Sequence, residues 1–178
     1  MNPKWYPNVP FSSLFPTVFE KEKERILKEI NNAIIEHIGS TSVPNLDGKG
    51  YIDILVCTPK NKMKNAKDVL ENKLGYEYKK DVSVIGERLF FKRIAQSEYS
   101  KDTFYHLHLT YLNSKYNKEA ISFREFLKSD PKYVNKYSSI KKEASKKAQK
   151  AINRNEARTI YKKIKDPLIN EILSKIRS

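Results

Sequence analysis

Hydrophobic and polar residues alternate along the chain with two different periods, which predict helices and strands in mixed succession. Residues 1–16 contain four prolines and are expected to form an extended arm. Apolar residues then recur at helical spacing over residues 17–30. Residues 33–38 are a short apolar run that predicts a buried strand, and this strand ends abruptly at Gly39.

The middle of the chain predicts four more strands and one helix. Residues 51–57 are a nearly continuous apolar run, which is typical of a central strand covered on both faces. Residues 63–74 form an amphipathic pattern that Gly75 ends. Further strands are expected over residues 76–80, 88–94 and 103–112. A polar segment separates the last two, so they are expected to form an antiparallel hairpin.

The remainder, residues 116–178, is predicted to be helical. An apolar stripe runs from Tyr116 to Leu127, and Pro131 separates this helix from a longer one that extends through Ile152. Pro167 is expected to interrupt the pattern before a short amphipathic tail, because an internal proline removes a helical hydrogen bond.

Composition indicates one folded domain spanning residues 1–178. Hydrophobic residues make up 39% and charged residues 31% of the chain, which excludes a disordered tail. The sequence shows neither a membrane span nor a signal peptide. The single cysteine, Cys57, excludes an intramolecular disulfide, and a cytoplasmic location is expected.

The formal net charge of +14 raises the question of a nucleic-acid partner. Many of the Lys and Arg residues fall on the C-terminal helical pattern, whose opposite face is apolar. This arrangement favours a solvated helix face, so nucleic-acid binding is possible but is not the favoured interpretation.

Asp53 is the first candidate for chemistry. It interrupts an apolar strand, where an ionised carboxylate is costly unless it is paired, hydrogen-bonded or bound to a metal. Gly39 and Ser40 end the preceding strand, and such a turn lets the backbone and a hydroxyl approach a phosphate. A structural carboxylate that caps a nearby turn is the alternative explanation.

His106 and His108 are the second candidates. Alternation along a strand places both imidazoles on one face. A His-x-His pair can bind a metal, act in acid–base chemistry or bind phosphate, and ordinary sheet packing is the alternative. The same alternation allows only one of Glu36 and His37 to face the cleft with Gly39, and it favours His37.

Five segments in the same order resemble the GrpB family of nucleotidyltransferase-like proteins. They are IEHIGSTSVP (35–44), KGYIDILV (49–56), GERLFFK (86–92), HLHL (106–109) and FREFL (123–127). The resemblance implies an α/β (α+β) fold, in which a nucleotidyltransferase-like mixed β-sheet is flanked by helices and followed by a helical C-terminal region.

The resemblance also implies roles for individual residues. Gly39, Ser40 and Thr41 would contact nucleotide phosphates, and Asp53 would hold a divalent metal (Mg, Mn or Zn). From the residues themselves, His106 and His108 are expected to complete the metal and catalytic set. The cations expected to pair with a nucleoside triphosphate are Lys49, Arg88, Lys92 and Arg124. Glu125 is a candidate for orienting Arg124 or a histidine.

Three departures from the family pattern affect the expected activity, one of which is that the histidine pair stands in place of a third acidic position. Leu55 stands where a second carboxylate commonly follows Asp53, and Gly50 stands where the family has proline. One aspartate and two histidines hold one metal more readily than two. The fold is therefore the firmer inference, because a fold does not determine a function.

Three functions follow from these patterns. The first is metal-dependent transfer of a nucleotidyl group from a nucleoside triphosphate to a small acceptor. The second is a non-catalytic nucleotide- or coenzyme-binding module of the same fold, which Leu55 favours. The third is an RNA-binding protein that uses its basic C-terminal helices, which the net charge favours.

Overall fold

Five strands form one mixed sheet in the order β1-β2-β5-β4-β3. The structure is a computed structural model and describes residues 5–177. The strands are β1 (Ile34–Ile38), β2 (Ile52–Thr58), β3 (Glu77–Tyr78), β4 (Arg88–Ala95) and β5 (Thr103–Tyr111). The central strands β2 and β5 are parallel, and every other pair is antiparallel. The β4–β5 hairpin agrees with the antiparallel pairing that the sequence predicts.

Five α-helices accompany this sheet within residues 5–177. They are α1 (Leu14–Glu29), α2 (Met63–Asn72), α3 (Lys115–Ser129), α4 (Pro131–Ala148) and α5 (Arg154–Arg177). Side chains that accept backbone N–H bonds fix two helix starts: Ser114 caps α3, and Asp130 caps α4 immediately before Pro131. None of the helices between residues 5 and 177 is long and apolar enough to cross a membrane.

Strand β2 is apolar apart from Asp53 and Thr58, and helices cover both of its faces. Ile52, Ile54 and Val56 pack on one side in a core shared with α1 and α2. Leu55 and Cys57 pack on the other side against α3. Asp53 lies on this second face, so the α3 side of the sheet carries the polar residues that the sequence singles out.

The N-terminal arm joins the C-terminal helices to the sheet. Tyr6 stacks on Tyr161 of α5 with ring centroids 4.8 Å apart, and Ser145 of α4 donates a 2.6 Å hydrogen bond to the Tyr6 carbonyl. Val9 and Gly48 exchange two backbone hydrogen bonds. The arm therefore forms part of the wall on the α3 side of the sheet.

The predicted extended arm is too long at its C-terminal end. Residues 1–4 lie outside the described residues, and α1 already begins at Leu14 rather than after Pro16. Pro16 fits there because the first turn of a helix requires no backbone N–H donor.

The C-terminal region also differs from its prediction. Helix α4 ends at Ala148 rather than continuing through Ile152, and α5 runs uninterrupted through Pro167. Leu168 and Ile172, which follow the proline, are buried in the core between the C-terminal helices. This burial offsets the hydrogen bond that Pro167 removes.

Candidate functional site

Asp53 and His106 meet at the centre of the sheet. The parallel register aligns Asp53 with His106 and Leu55 with His108, so all four side chains share the α3 face. Asp53 Oδ1 lies 3.4 Å from His106 Nδ1, and both side chains are mostly buried. The acid and both imidazoles therefore lie on one face, as alternation along the two strands predicts.

Gly39 packs directly against the Asp53 carboxylate. Its backbone has φ 69° and ψ −169°, a region that residues with a side chain rarely adopt. A Cβ at this position would lie 2.2 Å from Asp53 Oδ2. The close approach of the β1 end to the acid thus requires glycine.

Thr41 does not face a ligand, contrary to its predicted role as a phosphate contact. It is buried, and its hydroxyl donates a 2.9 Å hydrogen bond to the Tyr51 carbonyl. Since that bond uses its only proton, the 3.0 Å contact with His37 requires the imidazole Nε2–H to donate. Thr41 therefore holds the β1–β2 connection in place.

His37 lies on the opposite face of the sheet, so the prediction that it faces the cleft is wrong. It stacks on Phe19 of α1 with ring centroids 4.5 Å apart, and burial lowers its pKa to about 4. Glu36 is aligned with Leu55 and therefore shares the face of Asp53. The turn at Gly39 breaks the alternation on which the prediction depended.

Arg124 binds the end of β1, and it is not free to pair with a triphosphate as predicted. Its guanidinium donates to Glu36 Oε2 at 2.7 Å and to the His37 carbonyl at 2.8 Å. It also donates to Glu125 Oε1 at 2.6 Å, so Glu125 orients this arginine. These bonds attach α3 to the sheet.

His108 is neutral, and two neighbouring side chains contact its Nδ1 atom. The Tyr116 hydroxyl lies 2.7 Å and the Arg88 guanidinium 3.2 Å from this atom. Burial lowers the pKa of His108 to about 3, so Nδ1 acts as an acceptor and the ring proton is on Nε2. Arg88 also donates to the Val82 carbonyl, which commits it to this cluster rather than to a triphosphate.

The charge of Asp53 is balanced by neighbouring groups of the protein. Burial by itself raises its pKa, but the hydrogen bond from His106 and the neighbouring positive charge, which includes that of Lys49, hold the pKa below its usual value. Asp53 is thus ionised in the folded protein at neutral pH.

The predicted metal site of Asp53, His106 and His108 does not fit these contacts. Nδ1 of His108 is occupied by Tyr116 and Arg88, and its Nε2 carries a proton. Leu55 offers no oxygen, and the part of the chain that the structure describes contains no cluster of three His, Cys, Asp or Glu side chains suited to a metal ion. Asp53 and His106 alone are a poor donor set for a divalent cation.

A cleft of about 590 Å³ opens in front of His106. Its aromatic walls are Trp5, Tyr6, Tyr51, Phe90 and Phe104, and its cations are Lys49, Lys79, Lys92, Arg154 and Arg158. Asp81 is the one carboxylate in this described lining. The cleft is therefore strongly basic, with aromatic rings between the charges.

Lys49 and Lys92 are the predicted cations that line this cleft. The Lys49 ammonium lies 5.1 Å and 4.7 Å from the ring centroids of Tyr6 and Tyr51, and burial lowers its pKa to about 8. Lys92 on β4 is aligned with His106, and burial followed by the charge of Arg154 lowers its pKa. The ammonium groups of Lys49 and Lys92 therefore have too little negative charge near them to balance their own.

Sequence reasoning missed the two chain segments that complete the cleft. Trp5 and Tyr6 come from the arm, and Arg154 and Arg158 come from the start of α5. A spacing of four residues places both arginines on one side of a helix, which is the available sequence signal. That signal is hidden when α4 and α5 are treated as one continuous pattern.

The fold of the chain is of the nucleotidyltransferase-like class. A Cid1 poly(U) polymerase solved with MgGTP bound superposes with a TM-score of 0.52 at 13% identity, over 77% of this chain and 44% of that chain. A cytoplasmic RNA terminal U-transferase superposes with a TM-score of 0.51 at 16% identity, over 79% of this chain and 44% of that chain. At such identities the likeness concerns the fold alone.

Within this class the chain belongs to the GrpB protein family, whose sequence model matches residues 9–175. The crystal structure of the GrpB protein from Enterococcus faecalis superposes with a TM-score of 0.71 at 24% identity, over 97% of this chain and all of that one. The glutamate-rich protein GrpB of Alkalihalophilus pseudofirmus is 28% identical over 144 residues, which are 78% of this chain and 80% of that protein.

UPF0157 protein YqkA of Bacillus subtilis is 29% identical over 137 residues. The match covers 76% of this chain but 38% of that protein. The names of these relatives specify no catalytic activity.

Proposed function

We propose that the chain binds a nucleotide in the basic, aromatic-walled cleft in front of His106. The observation that carries this proposal is the combination, in one cavity of about 590 Å³, of five cations with five aromatic rings. Phosphate groups pair with Lys and Arg, and a nucleobase stacks on exposed ring faces. The volume is in the range of small-molecule and cofactor sites.

The two ends of a nucleotide have different partners in this cleft. Lys92 on β4 is aligned with His106, and Lys49 and Arg154, the first residue of α5, line the same cleft, so the phosphates are expected here. Tyr51 stacks on Phe104 with centroids 5.0 Å apart, and Phe104 is 37% exposed. The open ring of Phe104 offers a surface for the base.

Trp5 supplies a direct test, because it is the only tryptophan in the chain and lines the cleft. Its fluorescence is recorded while the four nucleoside triphosphates, and the matching nucleosides, are titrated in turn. We expect a saturable change with the triphosphates and much weaker binding of the nucleosides. The absence of a saturable change with every triphosphate would contradict nucleotide binding.

Matched lysine variants locate the site. Lys92→Ala removes a cation from the cleft, whereas Lys146→Ala removes an exposed cation of α4 outside the cleft lining. Because a charge-assisted hydrogen bond contributes about 1.5–3 kcal/mol, Lys92→Ala should weaken binding by about tenfold or more. Lys146→Ala should bind as the parent does.

A second candidate function is transfer of the nucleotidyl group from the bound triphosphate to a small acceptor. The Asp53–His106 pair favours it, since the imidazole of His106 lines the cleft and, when oriented by a carboxylate, is suited to accepting a proton from an attacking hydroxyl. The test measures the release of pyrophosphate from the triphosphate in the presence of candidate acceptors. The rate in EDTA is compared with the rates in Mg, Mn and Zn. Asp53→Asn should abolish turnover while it leaves nucleotide binding measurable.

A further inference from the structure

Lys49 is a half-buried cation and Lys141 a buried one, and neither has a carboxylate partner among the described residues. Across the described residues, neither ammonium lies within 4.0 Å of a carboxylate oxygen. Lys141, on α4, is 5% exposed, and its Nζ donates to the Asp47 carbonyl at 3.1 Å and lies 4.2 Å from the centroid of the Tyr137 ring. Removing an ammonium group from water without an anionic partner is energetically costly, so an anion near either position would be stabilised.

Asp53 is the carboxylate whose charge reaches both of these lysines, and it cannot neutralise them. It raises the pKa of Lys49 and of Lys141, but burial dominates and lowers the latter to about 7. Asp53 is itself engaged by His106 at 3.4 Å. A third half-buried ammonium, Lys165, feels the same carboxylate, although it is paired with Asp166 at 3.5 Å. Positive charge is therefore in excess around Asp53.

Lys141 also approaches the turn that ends β1. A Cβ on Gly48 would lie 2.2 Å from Ser40 Oγ and 3.6 Å from Lys141 Nζ, so the hydroxyl and the ammonium meet at the same glycine. Lys49 follows Gly48 directly and reaches the cleft. The two lysines thus flank one loop, with Lys49 at the cleft wall and Lys141 behind it.

We propose that this site binds the metal-free polyphosphate of a nucleotide, with the ammonium groups of Lys49 and Lys141 supplying positive charge in place of a divalent metal. The inference rests on the proposed nucleotide binding. A divalent cation at Asp53 would have one carboxylate, already paired with His106, and would lie among ammonium groups that repel it. A polyphosphate without a metal carries the additional negative charge that these lysines lack.

The test compares the affinity for ATP, read from Trp5 fluorescence, in EDTA and in excess Mg²⁺ at constant ionic strength. We expect binding in EDTA to be at least as tight as in Mg²⁺, because the metal removes two negative charges from the ligand. Binding that is tenfold or more tighter with Mg²⁺ would overturn the inference and leave the proposed function standing. No binding in either condition would overturn both.

Lys141→Met and the matched Lys146→Met separate a role in binding from a role in folding. Removing the buried charge should weaken ATP binding in EDTA by about tenfold. It should also leave the thermal midpoint unchanged or raise it, since an unpaired buried ammonium is lost. Lys146→Met, on the exposed side of α4, should change neither quantity. Unchanged ATP affinity in a folded Lys141→Met protein would refute the part assigned to Lys141.

Discussion

Replacement of Gly39 by alanine tests the close approach of the β1 end to Asp53. Two separate costs are expected. The backbone at φ 69° and ψ −169° is strained for any residue with a Cβ, at about 1–3 kcal/mol. The added methyl group also lies 2.2 Å from Asp53 Oδ2, an overlap that forces the carboxylate away from His106 at a further cost of about 1–3 kcal/mol. Gly39→Ala should therefore destabilise the fold by about 2–6 kcal/mol.

Gly75 provides the matched control for this substitution. Its φ of 66° is nearly the same, but no atom lies within 4 Å of the position that a Cβ would take. Gly75→Ala thus reports the cost of positive φ without the overlap, which is about 1–2 kcal/mol. The difference between the two variants measures the contact with Asp53 together with the additional backbone strain of ψ −169° at Gly39.

The assay is urea unfolding monitored by far-UV circular dichroism, with the slope m checked for constancy between variants. The double variant Gly39→Ala/Asp53→Ala should recover at least about 1 kcal/mol relative to additivity, because the second substitution removes the overlapping oxygen. A Gly39→Ala protein as stable as the Gly75→Ala protein would refute this reasoning, and so would strict additivity in the double variant.

Three further predictions concern other parts of the fold. Glu22→Gln should lower the free energy of unfolding by about 3 kcal/mol in urea, because Glu22 is buried and binds Arg25 at 2.6 Å and Arg93 at 3.0 Å. The His37 pKa of about 4 lies below its value in the unfolded chain, so the free energy of unfolding falls as pH falls from 6.5 to 4, by about 2–3 kcal/mol at pH 4.5. In parallel thermal melts, His37→Phe should lose correspondingly less stability on acidification. Pro167→Ala should restore a helical hydrogen bond in α5 and raise the free energy of unfolding by about 1–3 kcal/mol, which is seen as a higher urea midpoint.

The sheet could be predicted from the sequence because each strand carries its own local signal. Strand β2 is an apolar run covered on both faces, and β4 and β5 are separated by a polar hairpin segment. Asp53 and the histidines of β5 stand out because they interrupt such patterns. Alternation along β5 predicts that the two histidines share one face, whereas the parallel pairing that brings Asp53 to His106 is not predicted by the sequence pattern.

The cleft could not be predicted because its wall joins opposite ends of the chain. Trp5 lines it together with Arg154 and Arg158, and no local period relates the arm to α5. Two other errors arose where tertiary contacts override a local rule. Pro167 lies inside a helix because the residues that follow it are buried. His37 is expected to share a face with Gly39, but the turn at Gly39 interrupts the alternation along the strand.

The stacking of Tyr6 on Tyr161 has a consequence for the synthesis of the protein. The aromatic arm is translated before α5, so the emerging chain carries Trp5 and Tyr6 without their α5 partners until that helix has been made. The sheet, whose strands all precede α3, can assemble before that moment. A nascent chain that stalls before α5 would therefore present a formed sheet beside an aromatic arm that has no helix to pack against.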